Sequence, residues 1–386
     1  MAKKSIHPEY PASKERDALA VTLQKALNGR QKDGSKVSFF LDDEDDPSSI
    51  LDWVSTGSTM LDLAISNRPN GGLPVGRIVE FNGLEGTAKS LICAHICAST
   101  QAKGGLAVII DAENSAAPAF WASLGVKIPD LLYNQYECLE DMFDALEFMI
   151  GHVRKEQSDR LLTIIFDSVA GAPTRKELES DYGVDGYNTA KAIIVSKAMK
   201  KLTGLVGRQR ILPIFTNQLR MNLNAMAFGD KYIVPGGKGL AYHSSVRVRL
   251  NNVGKIKNAD KIVIGNSIQA QVVKNRCGPP HRTASFAVHF DSGIQDLAGV
   301  LEFMKDNGLI TGTKAGYTFK SKTDGEIKFT VPKFVELYNT VPSFKAEVYQ
   351  MLCDKWIMKY RLPNSAIIED TTEDTSDDSV PEETES

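Results

Sequence analysis

The sequence predicts an α/β fold: a mostly parallel sheet flanked by helices, with smaller segments at either end. Three observations carry that prediction. Four short runs, Arg77–Phe81, Leu106–Ile110, Leu161–Phe166 and Ile211–Phe215, are largely apolar without alternation, as strands covered on both faces must be. Helical patterns lie between them. In Leu139–Val153 the apolar residues Leu139, Met142, Phe143, Leu146, Met149, Ile150 and Val153 recur with the 3.6 period. Strands that alternate with helices in this way build a parallel sheet. Finally, the Arg77–Phe81 run passes through a glycine-bearing turn straight into a helical stretch that reaches Gln101.

The elements follow in order. Residues 1–12 are polar. Ser13 to Asn28 reads as an amphipathic helix, with Ser13 as N-cap, Leu19, Leu23 and Leu27 on one stripe, and Gly29 at its end. The acidic run Asp42-Asp43-Glu44-Asp45-Asp46 reads as a solvated loop. After the four core runs come further strands at Val246–Leu250, Ile268–Val273 and Ser285–Phe290. Two stretches break the alternation, Arg175–Tyr187 and Arg220–Gly239, each close behind a core strand, where long loops are usually functional. The divisions expected are an N-terminal segment (1–50), the α/β core (51–290), a small α+β domain (291–363) and a disordered acidic tail (364–386).

Composition narrows the class. A chain of 386 residues, 42% apolar and 24% charged, is ordinary for a soluble protein of two or three domains at ~100–200 residues each. No apolar run approaches the ~20 residues that cross a bilayer. Nothing behind Met1-Ala2-Lys3-Lys4 reads as a secretory signal. Cys93, Cys97, Cys138, Cys277 and Cys353 form no Cys-x-x-Cys pair, so a reducing cytoplasm is expected. The formal charge is −3, yet Glu369 to Ser386 holds nine acidic residues and no Lys or Arg. Setting that −9 aside leaves +6 on residues 1–368, a basic body that suits a polyanion. The plainer reading of the tail is solubility.

Gly83-Leu84-Glu85-Gly86-Thr87-Ala88-Lys89-Ser90 between strand and helix is the phosphate-binding loop arrangement. Backbone N–H groups at the helix start face an anion, Lys89 reaches the outer phosphates, and the Ser90 hydroxyl ligates Mg²⁺. Ala88 stands where glycine is usual, and if the position needs φ > 0 its Cβ costs roughly 1–2 kcal/mol. Asp167 ends a core strand and suits the Mg²⁺ shell. Glu113, just past another, can orient or deprotonate a water. Gln218, after a third, can sense the terminal phosphate. Each of these three alone is also what a surface residue after a strand looks like.

Together these residues resemble the RecA family of homologous recombinases. Ser55-Thr56-Gly57-Ser58 and Gly72-Leu73-Pro74-Val75-Gly76-Arg77-Ile78-Val79-Glu80 resemble the signature before that family's phosphate loop. Asp111-Ala112-Glu113 resembles its catalytic-glutamate strand, and Asn217-Gln218-Leu219-Arg220-Met221, Phe228-Gly229 and Gly236-Gly237 resemble landmarks of its second DNA loop. Val272-Val273-Lys274-Asn275-Arg276 resembles the strand that reaches a neighbouring subunit's ATP. The resemblance covers roughly Ser13 to Pro363.

It implies a RecA-type ATPase core and a DNA-dependent ATPase using ATP and Mg²⁺. Such a protein polymerises on single-stranded DNA into a helical filament and exchanges strands with homologous duplex DNA. Single-strand-binding and loader proteins would be accessory partners, and residues 1–50 would serve polymerisation. It assigns Glu113 as water activator, Gln218 as γ-phosphate sensor, and Lys274 with Arg276 as cations supplied in trans. Glu177–Asn188 and Arg220–Gly237 would be the DNA loops, with Lys200 and Arg220 on phosphates and Met221, Phe228, Gly236 and Gly237 in the second loop.

There are departures. Ala117 replaces an aspartate that contacts the adenine amino group, Phe120 a stacking tyrosine, Arg276 a lysine, and Tyr242 an interface phenylalanine. They resemble a bacteriophage recombinase more than a housekeeping bacterial one. Two alternatives remain at this stage: a related hexameric helicase, and a DNA-binding scaffold with a decayed site, supported only by Ala88 and Ala117. Deleting residues 369–386 should tighten binding to duplex DNA, with a gain that shrinks as salt rises. Titration of labelled duplex with full-length and truncated chains checks this, and unchanged affinity at low salt leaves solubility as the tail's role.

Overall fold

A computed structural model describes residues 16–360, apart from 33, 42, 44–45, 47, 51, 115, 157–158, 181–186, 208, 222–231, 234, 314 and 323. At its centre is a nine-stranded sheet. In spatial order the strands are Gly293–Gln295, Thr283–His289, Val263–Asn275, Val246–Lys257, Val79–Gly83, Ile211–Gln218, Leu162–Asp167, Leu106–Asp111 and Leu131–Asn134. From Val246–Lys257 to Leu131–Asn134 every pairing is parallel. The three pairings on the other side are antiparallel.

All seven strands expected from the sequence are present, and those at Ile211–Gln218, Val246–Lys257 and Val263–Asn275 run several residues longer than expected. Past Leu250, which faces Gly83, the Val246–Lys257 strand pairs only with its antiparallel neighbour. Its residues there are mostly exposed, so no apolar run marked them. The edge strand Leu131–Asn134 has no buried residue and left no signal either.

Helices cover both faces, and the strand side chains divide between them. Ile109 and Ile165 join one core with helices Thr59–Ser66, Lys89–Ala102 and Pro118–Ser123. Val108, Ile110, Ile164 and Phe166 join the other with helices Leu139–Glu156 and Tyr187–Val206. In that second core Phe166 stacks on Phe215 at 4.7 Å and meets Phe143 at 5.6 Å. The expected stripe of Leu139–Val153 is thus the buried face of its helix.

Strands Ile310–Thr313, Gly316–Ser321 and Gly325–Phe329 make a separate antiparallel sheet, followed by helices Val331–Thr340 and Pro342–Trp356. Phe319, Phe329, Phe334 and Phe344 are buried there and continue the first core. Among the described residues no helix is long and apolar enough to cross a membrane.

Three local expectations are corrected. The first helix runs Ala18–Asn28 and is capped by Asp17, whose carboxylate accepts from Ala20 N, because an acceptor is needed immediately before the first turn. Ser13, the expected cap, lies outside the described residues. Asp46 is buried rather than solvated, since its carboxylate accepts from the Ser48 amide at 3.0 Å and from the Ser48 and Ser49 hydroxyls. The polar stretch after Thr174 opens with a helical turn, Arg175–Leu178, because Thr174 and Glu177 close a reciprocal capping box.

On the central strand Glu80 is fully buried, and its partner in register, Arg247, pairs with it. Removing one member of such a pair strands a buried charge. Arg247→Met should therefore destabilise the fold by about 3–5 kcal/mol, read as a lowered urea midpoint.

Candidate active site

The phosphate loop lies where the Val79–Gly83 strand meets the Lys89–Ala102 helix. Its conformation is set by two different demands on glycine. A Cβ on Gly83 would fall 2.5 Å from Thr87 Oγ1 and 2.6 Å from the Leu250 carbonyl, so only glycine fits. Gly86 has open space around it but φ of +70°, in the left-handed region. Ala88, immediately before the helix, has φ +67° and ψ +25°. The position does need the left-handed conformation, and the alanine is strained there. Thr87 Oγ1 donates to the Leu84 carbonyl at 2.8 Å and closes the loop on itself.

Lys89 Nζ donates to the Gly83 and Leu84 carbonyls at 3.2 and 2.8 Å. Burial pulls its ammonium below the usual lysine range, opposed by the charges of Asp167 and Glu113. Its described partners are carbonyls rather than carboxylates, so its charge has no partner at bonding distance. That suits a loop built to receive an anion.

Asp167 is buried at the end of its strand. Thr216 Oγ1, on the neighbouring strand, donates to its Oδ1 at 2.6 Å, and the Ser90 hydroxyl is the other neighbour that favours its charged form. Burial raises its pKa above the ordinary carboxylate value, and the two hydroxyls oppose that. Ser90 and Asp167 thus converge as hard oxygen donors, the kind Mg²⁺ takes.

Glu113 and Gln218, 105 residues apart in sequence, are in direct contact: Gln218 Nε2 donates to Glu113 Oε1 at 3.0 Å. The Ser168 hydroxyl donates to the same oxygen. Glu113 packs against the Gly171 main chain, where an added Cβ would stand 2.9 Å from its Cγ. Leu219 N, next to Gln218, donates to the Gly83 carbonyl at 3.1 Å, so the root of the long loop is tied to the phosphate loop.

That long loop leaves as a short hairpin, with Arg220–Met221 paired to Tyr232–Ile233. Phe228 and the rest of its tip lie outside the described residues, as does 181–186 in the first loop. Arg220 and Lys200 are exposed. Gly236 and Gly237 have φ of +87° and +73°, and a Cβ on Gly237 would press to 2.7 Å from Ala192 on the Tyr187–Val206 helix. The returning arm therefore lies directly on that helix. Phe120 is half-buried against the first core, and Ala117 is exposed just before the Pro118–Ser123 helix.

Lys274 and Arg276 stand apart from their own phosphate loop. Asn275 is level with Val246 and so with Val79, while Gly83 is level with Leu250. Four residues at ~3.3 Å each put about 13 Å between the two levels, on opposite edges of the sheet. Lys274 Nζ donates to the Ala241 and Tyr242 carbonyls at 2.8 and 2.9 Å, and Arg276 Nη2 to Tyr242 at 3.3 Å. Burial, then the charges of Arg276 and Arg247, pull Lys274 down to about 8.

Sequence reasoning missed Ser168, Thr216, Gly171 and Lys191. Lys191 had a usable signal: it heads the stripe Val195, Met199, Leu202 and Val206, a charge on an otherwise buried helix face.

A phosphate loop, two carboxylates and an amide at the ends of parallel strands define a phosphate-loop nucleotide hydrolase. The family model for the RecA N-terminal domain matches residues 21–295. The chain is 32% identical over 330 residues to Protein RecA of Heliobacterium modesticaldum, covering 86% of this chain and 91% of the relative. It is 36% identical over 282 residues to that of Gluconobacter oxydans, covering 73% and 78%. Against Protein RecA of Clostridioides difficile the figure is 34% over 314 residues, or 81% and 86% of the two chains. The chain belongs to the RecA family.

Ala88→Gly removes the left-handed penalty but adds unfolded-state freedom, so it should stabilise the chain by at most about 1 kcal/mol. A urea midpoint raised at unchanged slope is the expected result.

Proposed function

We propose that the residues converging on the phosphate loop hydrolyse ATP under the control of bound DNA. As a RecA-family member the chain is a DNA-dependent ATPase of homologous recombination and DNA repair. It uses ATP with Mg²⁺, binds single-stranded and duplex DNA, and self-assembles into filaments. A cytoplasmic location follows as part of the proposal.

The observation that carries the mechanism is the Gln218–Glu113 hydrogen bond at 3.0 Å, made beside Lys89 and at the root of the second loop. Bound ATP with its Mg²⁺ supplies the phosphoanhydride to be cleaved. In this reading Lys89 holds the outer phosphates, exchanging its loop carbonyls for them. Ser90 and Asp167 hold the metal's shell, and the Gly83–Ser90 backbone cradles the phosphates. Glu113 takes the proton of the attacking water. Gln218, now bonded to Glu113, turns to the terminal phosphate and moves the loop that begins at Arg220. Phe120 stacks on the base.

Arg220, Met221, Phe228, Gly236, Gly237 and Lys200 would form the DNA surface. The two glycines would contribute by shaping the returning arm. Lys274 and Arg276, on the edge opposite their own loop, act on a neighbour's nucleotide, since they cannot reach their own. Residues 1–50 would carry polymerisation, 51–290 catalysis and DNA binding, with 291–363 and the acidic tail as accessory parts.

Hydrolysis measured with and without single-stranded DNA tests the reading. Lys89→Ala should lose tight nucleotide binding, while Glu113→Gln should bind ATP and DNA and turn over very slowly. Mixing Glu113→Gln with Arg276→Ala protein should restore part of the hydrolysis, because some mixed interfaces carry one intact site. Equal loss of ATP binding in Lys89→Ala and Glu113→Gln would refute the roles, and no recovery in mixed filaments would refute action in trans.

A further inference from the structure

Lys191 is a buried lysine that the mechanism above does not use. Lysine is seldom buried without a partner. Here Nζ donates to the Ala170 carbonyl at 2.9 Å and the Ala172 carbonyl at 2.6 Å. Those two carbonyls flank Gly171, the residue against which Glu113 packs. The Gly171 amide in turn donates to the Ser168 hydroxyl at 3.2 Å, and that hydroxyl donates to Glu113 Oε1. The seat of Glu113 is therefore a tight turn, Ser168 to Ala172, gripped on its far side by one ammonium.

The other end of that grip lies on the helix that both loops meet. Tyr187 begins the helix directly after residues 181–186 of the first loop. The returning arm of the second loop lies on its next turns, with Gly237 close to Ala192, Gly236 facing Val195 and Gly239 facing Ser196. Lys191 is one residue before this contact. Helix and turn are thus joined by a buried pair of hydrogen bonds, through which a shift of the helix would reach the Ala170 and Ala172 carbonyls.

We propose that Lys191 is a positioning residue for hydrolysis: by holding the Ser168–Ala172 turn to the loop-bearing helix, it sets Glu113 where DNA-stimulated turnover needs it. The proposal rests on Glu113 as water activator. A displacement of about 1 Å in a catalytic group costs up to roughly 10²-fold in rate. Loss of the tie should therefore reach kcat and leave ground-state binding alone.

The test is steady-state ATP turnover by the full-length chain, with and without saturating single-stranded DNA, alongside ATP KM and DNA affinity. Lys191→Met, which keeps the aliphatic stem, should lower DNA-stimulated kcat by about 10- to 100-fold with KM and DNA affinity unchanged. Gly171→Ala, whose methyl displaces Glu113 without touching Lys191, should give the same split. The double variant should be no slower than the worse single one, because both act on one turn. Wild-type kcat in Lys191→Met, a loss of DNA affinity equal to the loss of kcat, or multiplying defects in the double variant would each overturn the proposal. Should Lys191→Met fail to fold, Lys191→Gln with its single amide donor and Gly171→Ala decide, and wild-type kcat in Gly171→Ala overturns it. Glu113→Gln run in parallel separates the two readings: if it keeps its turnover, the role of Glu113 fails, whatever Lys191 does.

Discussion

The parallel ladder from Val79–Gly83 through Ile211–Gln218 and Leu162–Asp167 to Leu106–Asp111 holds four strand ends on one edge of the sheet. Gly83 is level with Gln218, and Asp167 with Asp111. Because the pairings are parallel, each strand delivers its next residue to the same edge, and the helices that return the chain leave that edge open. Lys89, Asp167, Glu113 and Gln218 come from four separate segments and meet only because the register holds. A slip of one residue in any strand would turn its end residue to the other face.

The same ladder sets the strand-end side chains next to the root of the long loop. Gln218 is still part of its strand, while Arg220, two residues on, already belongs to the hairpin that opens the long loop. The Leu219 amide on the Gly83 carbonyl fixes that root to the phosphate loop, and Asn217 Nδ2 on the Pro235 carbonyl at 3.1 Å fixes the return. Both ends of the long loop are thus held by direct hydrogen bonds within one or two residues of Gln218. On the other side, Gly237 approaches Ala192, and Lys191, one residue earlier on that helix, donates to the carbonyls that flank Gly171 beside Glu113.

Stability is given up where this geometry requires it. Ala88 is held in the left-handed region to start the phosphate-loop helix. Asp167 is buried against its preference for water, with hydroxyls from Ser90 and Thr216 as partial compensation. Glu80 and Arg247 place an ion pair in the central strands. The two apolar cores that flank the sheet, with Phe166 and Phe215 stacked in one and Phe319, Phe334 and Phe344 in the other, supply the burial that offsets these costs.

The sequence by itself determined the parallel core, the phosphate loop and the two strand-end carboxylates. These are local statements: an apolar run, a glycine pattern, an acid at a strand end, each enforced by sterics or burial within a few residues. It also marked Gln218, as an amide able to sense the terminal phosphate. Only the tertiary structure decided that Gln218 bonds to Glu113 across 105 residues, since hydrogen bonds between strand ends depend on sheet order, which no local pattern encodes. Only the structure placed Ser168, Gly171 and Lys191 around Glu113, because their roles lie in a turn and a helix brought together by packing. The separation of Lys274 and Arg276 from their own phosphate loop is likewise a matter of register. Antiparallel pairing returns the Val263–Asn275 strand to the opposite edge, and no spacing along the chain could have fixed which edge that was.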